Sequence, residues 1–366
     1  MRVHFVGEAD DGQSVSSHHA RLLASCGEAV SFDQPRASWM HVCRQADVIH
    51  VVTGLQRSNV LLRRLMAARA CGVAIVRYWT GLDMLWAEAH APTLRFAQTL
   101  QALGAHQLAP SPRAVERLAA LGLVARVGEV ASLHISASIQ PQPLPAQFTV
   151  LCHLPREYRT FYGGDVLDAL IRRFKATRFL VLGDDPQRYQ GIETVEAIES
   201  TDDIVRTLMR ATVLIRPVAW ACRSRLMLEA LSLGRYAIGT FDWPGCARAN
   251  TVEEFAAALR DLVPQPPFNL TGRELVCRAH DRAQARTALQ AELNLAMTEA
   301  ARQGRAGGAW QTMMVALRTP QLYGSRPFPE PSLADLHGDL APLAMLLNGA
   351  HAEAASPTAA LNGAPA

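Results

Sequence analysis

The sequence predicts an α/β protein with parallel sheets in two successive domains, and three observations carry that prediction. Short apolar runs alternate with longer stretches of helical periodicity through both halves of the 366-residue chain, the order that strand–helix–strand units require. Polar, glycine-containing loops follow several of these runs, at the edge where such sheets hold ligands. At residues 138–147 the composition turns to Gln, Pro, Ala and Leu, in IQPQPLPAQ, whose prolines oppose helix and central strand alike.

The first domain, residues 1–144, opens on a buried strand at 3–6, a Gly/Asp/Ser loop at 7–17, and a helix carrying Leu22, Leu23 and Cys26. Residues 48–52 read as a strand, 60–70 as a helix and 73–77 as a strand running into Tyr78-Trp79-Thr80-Gly81-Leu82-Asp83. Residues 108–110 end a strand where Ser111 is placed to cap a helix and Pro112 to occupy its first turn.

The second domain, residues 145–300, restarts with a strand at 148–152 and the loop HLPREYRTFYGGD. A helix at 166–174, a strand at 179–182 ending in Gly183-Asp184-Asp185, and a helix at 204–209 follow. The stretch 211–240 is the densest. The run Val213, Leu214, Ile215 stops at Arg216-Pro217, where the proline ring removes a donor. Leu226, Leu228, Ala230 and Leu231 then have helical spacing, Gly234 supplies a stop, and residues 236–238 resume a strand. Residues 278–317 read as helical, 301–348 as a helical extension in which Leu333, Leu336, Leu340, Leu343 and Leu347 share a face, and the Ala/Ser/Pro/Asn-rich tail 349–366 as disordered.

Composition narrows the function. A net charge of +3 is small and thinly spread, which argues against a nucleic-acid binder. Lys175 is the single lysine and every other fixed cation is arginine, so phosphate recognition must rest on guanidinium forks and backbone amides. The start MRVHFVGEAD lacks an export signal, and no apolar window reaches the length of a membrane span. The seven cysteines form no Cys-x-x-Cys pair, which fits buried thiols in a reducing cytoplasm. There is no Gly-x-Gly-x-x-Gly after a strand, no Gly-x-Ser-x-Gly, no His-Glu-x-x-His and no Asp-x-Asp. Dinucleotide redox, serine or zinc hydrolysis and metal-dependent transfer lose support.

The order Arg216-Pro217, a polar turn with Ser224-Arg225, Leu228-Glu229-Ala230-Leu231 and Gly234 resembles the donor-binding signature of retaining GT-B glycosyltransferases, family 4 above all. The resemblance covers residues 1–262. It implies two Rossmann-like domains facing across a cleft with C-terminal helices, the acceptor on the first domain and a nucleotide sugar on the second. In that family two acids lie eight residues apart, the second binding the ribose while amides of the turn between them approach the diphosphate. Glu229 matches the second position, and eight residues earlier stands Ala221. The resemblance also implies basic residues for the diphosphate in the earlier loop, a role it gives to Arg156 and Arg159.

Each candidate has a plainer reading beside it. Arg156, Arg159, Gly163 and Gly164 make a favourable anion loop before a helix start, or a solvated loop with Asp165 as cap. Arg223, Ser224, Arg225 and Leu226 form the donor-side turn, or Ser224 simply caps a helix. Glu229 binds ribose or is a surface acid. Asp83 orients an acceptor hydroxyl or closes a helix entrance with Thr80. His18 is a weak catalytic candidate against an ordinary surface histidine. Arg57, Arg63, Arg64 and Arg69 flank an apolar helix that rests on an anionic membrane or packs with a solvated basic face.

The expected activity is therefore metal-free, cofactor-free transfer of a sugar from a UDP- or GDP-sugar to a glycan, lipid-linked or protein hydroxyl, with retention, in glycan or glycoconjugate synthesis such as polysaccharide biosynthesis. The expected place is the cytoplasm, with at most peripheral contact on the inner membrane face. Ala221 motivates an alternative, a degenerate relative that binds a nucleotide sugar or a partner protein without turnover. A sugar-nucleotide epimerase shares the architecture, but well-placed acids for it are not found.

Overall fold

A computed structural model describes residues 1–6, 15–32, 38–52, 59–128, 142–201, 203–218, 224–241, 243–263, 268–279 and 281–318. In the first lobe β1 (Arg2–Val6), α1 (Val15–Ala24), β2 (Ala29–Phe32), α2 (Trp39–Gln45), β3 (Val48–Val52), α3 (Asn59–Ala70) and β4 (Ala74–Tyr78) follow one another. Then come α4 (Gly81–Ala89), α5 (Ala91–Ala102), β5 (His106–Ala109), α6 (Pro112–Ala120) and β6 (Arg126–Val127). The six strands pair in the order β2-β1-β3-β4-β5-β6, in parallel throughout. β3 and β4 are buried at every residue, as a sheet covered on both faces requires.

The second lobe runs β7 (Thr149–His153), α7 (Gly164–Arg173), β8 (Arg178–Leu182), β9 (Val195–Ile198), α8 (Ile204–Met209) and β10 (Val213–Arg216), then α9 (Arg225–Ser232), β11 (Tyr236–Gly239), β12 (Ala247–Arg248), α10 (Val252–Leu262) and α11 (Leu270–Ala279). Its six strands, in the order β12-β11-β10-β7-β8-β9, are also all parallel. Apolar side chains from α7 and α10 cover one face, and those from α8, α9 and α11 the other.

α12 (Arg282–Arg318) returns to the first lobe. Ala285, Leu289, Leu293, Ala296 and Ala300 are buried with Val3, Phe5, Val48 and Val76, so the helix completes the core beneath the first sheet. The chain from 282 to 300, assigned by sequence to the second domain, thus contributes its apolar face to the first. The helix is interrupted at Gly304 (φ 65°, ψ 178°), and its continuation lies on α3 through Thr312, which donates to the carbonyl of Met66 at 3.1 Å.

That packing corrects the membrane reading of α3. Leu61, Leu62, Leu65 and Met66 are buried in the first lobe's core, and Arg69, 1% exposed, donates to the Leu103 carbonyl and to Gln311, each at 3.1 Å. Arg57 lies outside the described residues, as do the leucine-bearing stretch 333–347 and the tail 349–366. The two lobes also touch at Phe161, whose ring packs against the first-lobe cluster of Trp79, Met84 and Leu85.

Candidate functional site

β7 and β10 are neighbours in the second sheet, yet the strands that follow them lie on opposite sides, β8 beyond β7 and β11 beyond β10. Such a reversal opens a crevice at the carboxyl ends of the two strands. The residues at those ends are His153 and Arg216. Arg216 Nη1 donates to His153 Nδ1 at 2.9 Å, and the guanidinium carbon stands 5.0 Å from the Tyr162 ring centroid. Arg216 is 9% exposed, and its Nε has no hydrogen-bond partner among the described residues.

Burial, and then the Arg216 charge, hold His153 down to a pKa of about 4. A neutral ring that accepts at Nδ1 carries its proton on Nε2. The pair therefore presents donors from both members, a guanidinium Nε–H and an imidazole Nε2–H. Burial also lowers the pKa of Arg216, the cost of keeping a cation from water, and an anion placed beside it would offset that cost.

α9 supplies the second half of the site. Ser224 caps it, accepting from the Met227 amide at 3.4 Å. On the next turn Glu229 is 1% exposed. Arg225 Nε lies 3.4 Å from Glu229 Oε1, but that oxygen has no hydrogen-bond partner among the described residues. Burial raises the Glu229 pKa, against the lowering effect of Arg225. A buried acceptor left unmatched costs about 1–3 kcal/mol, so Glu229 is set up to receive a donor.

One cavity of about 610 Å³ joins these groups. Arg216, His153, Ser224, Arg225 and Glu229 form one side, Leu182 and Gly183 the middle, and Glu199, Ser200, Thr201 and Ile204 the far end, while Val15 of α1 contributes from the first lobe. A cavity of similar size, about 630 Å³, lies beside Arg2, Asp47 and Gly72. It opens at the amino ends of the first sheet, where Arg2 is already paired with Asp47 at 2.8 Å. Position and unmatched polar atoms, not volume, favour the crevice of the second lobe.

Of the residues read from the sequence, Ser224, Arg225, Leu226 and Glu229 come together on this cavity. Arg223 and Ala221 lie outside the described residues. Arg156 is exposed and stands 3.3 Å from Asp185. Arg159 differs from the expectation of a phosphate contact: its guanidinium is held by Asp168 at 2.6 Å and by Asp184 at 2.9 Å, and Asp184 also accepts from Tyr189 at 2.6 Å. The glycines serve that packing. A Cβ on Gly164 would meet Arg159 Nη1 at 2.5 Å, and one on Gly163, at φ +80°, would meet the Pro217 carbonyl oxygen at 2.1 Å.

On the first lobe, Asp83 and Thr80 form a reciprocal capping box at the start of α4, with Thr80 Oγ1 donating to Asp83 Oδ2 at 3.0 Å. Asp83 is 2% exposed. His18 lies one turn along α1 from Val15 and is 9% exposed. Beneath it His19 Nδ1 and His50 Nε2 are 3.3 Å apart. Burial is the main cause that lowers both pKa values, His50 to about 3.

Sequence reasoning missed Arg216 and His153 as a pair. The available signal was a cation closing an otherwise apolar strand, which it read as a stop and as the opening of the donor-binding signature, with no ligand role for the guanidinium. Among the described residues no group of three or more His, Cys, Asp or Glu is placed to hold a metal ion, and no helix is long and apolar enough to cross a membrane.

The fold places the chain among two-lobed α/β proteins with a ligand crevice. HepE of Anabaena, solved with UDP-glucose, aligns over 81% of this chain and 100% of its own with a TM-score of 0.60 at 14% identity. Sucrose-phosphate synthase of Thermosynechococcus elongatus aligns over 88% and 98% with a TM-score of 0.51 at 13% identity. A glycosyltransferase of Rickettsia africae aligns over 89% and 99% with a TM-score of 0.52 at 10% identity. At such identities the likeness is one of fold, and that fold is GT-B. No protein-family model and no curated sequence matches the chain.

Proposed function

We propose that this protein is a glycosyltransferase that holds a nucleotide-sugar donor in the crevice of the second lobe and transfers the sugar to an acceptor hydroxyl presented by the first. One observation carries the reading: a buried guanidinium and a buried carboxyl, those of Arg216 and Glu229, line the same cavity, and each has a polar atom without a hydrogen-bond partner among the described residues. A diphosphate supplies acceptors to the first and a ribose supplies a hydroxyl donor to the second. HepE, with the same fold, is described in complex with UDP-glucose.

As the glycosidic bond breaks, negative charge grows on the leaving diphosphate. Arg216, the Nε2–H of His153 and the amides at the start of α9 stand where that charge develops, so they favour the transition state over the ground state. Closure of the first lobe over the crevice excludes water, whose attack on the donor is the competing reaction. The finer parts of the proposal are membership of family 4, retention, independence from metal, and a cytoplasmic role in polysaccharide synthesis with at most peripheral membrane contact.

Calorimetry against nucleoside diphosphates tests the site. Binding abolished in Arg216→Ala and Glu229→Ala, with unchanged melting profiles, supports it, and full affinity in both removes it. The variant Ala221→Asp, with diphosphate release from sugar donors as readout, separates transfer from the non-catalytic alternative. Release by the wild type establishes transfer. Binding without release, recovered in the variant, favours a binding role.

A further inference from the structure

We infer that the donor's base is guanine, read at the far end of the crevice by the carboxylate of Glu199. This deepens the nucleotide-sugar reading and rests on it. The crevice has a direction. Its cationic end lies at the carboxyl termini of β10 and β7, with Arg216 and His153, and its far wall is Glu199-Ser200-Thr201, directly after β9. From β10 across β7 and β8 to β9 the sheet makes three lateral steps, about 14 Å at ordinary strand spacing. An extended nucleoside diphosphate covers that distance. With the phosphates at Arg216 and the ribose at Glu229, the base reaches Glu199.

The middle of the crevice suits a flat ring. Gly183 stands at φ +93°, and a Cβ there would come within 3.4 Å of the Leu154 carbonyl and 3.6 Å of the His153 ring. Gly183 therefore brings no side chain to the cavity wall, and Ile204, at the start of α8, lines the same space.

Glu199 is exposed on the cavity wall and has no ion pair or hydrogen bond among the described residues. An uncompensated carboxylate in a site for an anionic ligand repels it unless it meets donors on that ligand. The bases differ sharply in what they offer. Guanine presents N1–H and the 2-amino group side by side, matching both oxygens of a carboxylate. Uracil presents one N–H between two carbonyl oxygens. Adenine and cytosine present an amino group beside a ring acceptor.

The experiment is calorimetry of the full chain with GDP, IDP, UDP and ADP, on wild type and Glu199→Gln. IDP keeps N1–H but lacks the 2-amino group. GDP is expected to bind the wild type at least about tenfold more tightly than IDP, UDP or ADP. In the variant, whose amide offers a single acceptor oxygen, GDP weakens by about tenfold, the gap to IDP closes, and UDP changes less than about twofold. UDP or ADP matching GDP on the wild type, or a variant that weakens all four equally, overturns the assignment of guanine to Glu199. Failure of every nucleotide to bind the wild type overturns the nucleotide-sugar reading itself.

Discussion

Arg216 and His153, 63 residues apart in sequence, close the two strands that flank the switch point of the second sheet, and Arg216 Nη1 donates to His153 Nδ1 at 2.9 Å. The contact fixes the imidazole tautomer and holds the guanidinium with its Nε unmatched among the described residues. Replacing Arg216 by Lys keeps the charge but loses the planar fork. The expected result is a loss of about 1.5–3 kcal/mol in nucleoside-diphosphate binding, read by calorimetry. Equal affinities would show that Arg216 does not meet the phosphates.

A second prediction concerns acid. His153, His19 and His50 have folded-state pKa values below the ordinary imidazole value, chiefly through burial. The unfolded chain therefore takes up protons that the folded chain refuses. Their contribution is fully present above pH ~6.5 and is lost as pH falls from there, down to about 4 for His153. Urea unfolding at pH 5 should show a loss of about 2 kcal/mol relative to pH 7.5 for each imidazole kept neutral. A flat profile between those values contradicts the burial of these rings.

Glu229 gives the opposite sign. Burial raises its folded-state pKa, so its contribution is most favourable at low pH and is lost as pH rises through that raised value. That burial makes the acid a burden on the empty protein at neutral pH. Glu229→Gln should stabilise it by about 1 kcal/mol, while its affinity for nucleotides falls. Differential scanning calorimetry and titration on the same sample check both halves. A variant that melts lower and binds normally refutes the assignment.

Two glycines with nearly the same backbone separate packing from strain. Gly163 has φ +80° and no room for a Cβ, whereas Gly191 has φ +79° and nothing within 4 Å. Gly191→Ala should cost about 1 kcal/mol, the conformational penalty alone. Gly163→Ala must also displace Pro217, which directly follows Arg216, and should cost about 3 kcal/mol or more together with nucleotide affinity. Chemical denaturation of the two variants side by side measures the difference.

Three of the strands that end at the crevice, β7, β8 and β10, were legible because each is a short apolar run with a polar break after it. The turn before α9 was legible because Ser224 and Glu229 sit at capping and helical spacings. The roles of Arg159 and Arg216 were hidden for one reason. Side chains decide them from far along the chain: Asp184 lies 25 residues from Arg159, and His153 lies 63 from Arg216. Neither distance leaves a periodic trace. The edge strands β2 and β9 went unread because they are only partly buried, and α2, α4, α5, α10 and α11 went unread although α10 buries Phe255, Ala256 and Leu259 at helical spacing. The destination of α12 was illegible too, because an amphipathic helix declares that it has a buried face but not which sheet will bury it.

That destination has a consequence for how the molecule is made. The lobe translated first has a gap in its interior until Leu289, Leu293 and Ala296 arrive to fill it, and the whole second lobe is synthesised in between. A nascent chain released before residue 282 carries an amino-terminal half with uncovered core side chains, a ready substrate for chaperones or aggregation. The second lobe, whose cores draw among the described residues only on 144–277, is therefore expected to mature before its elder neighbour.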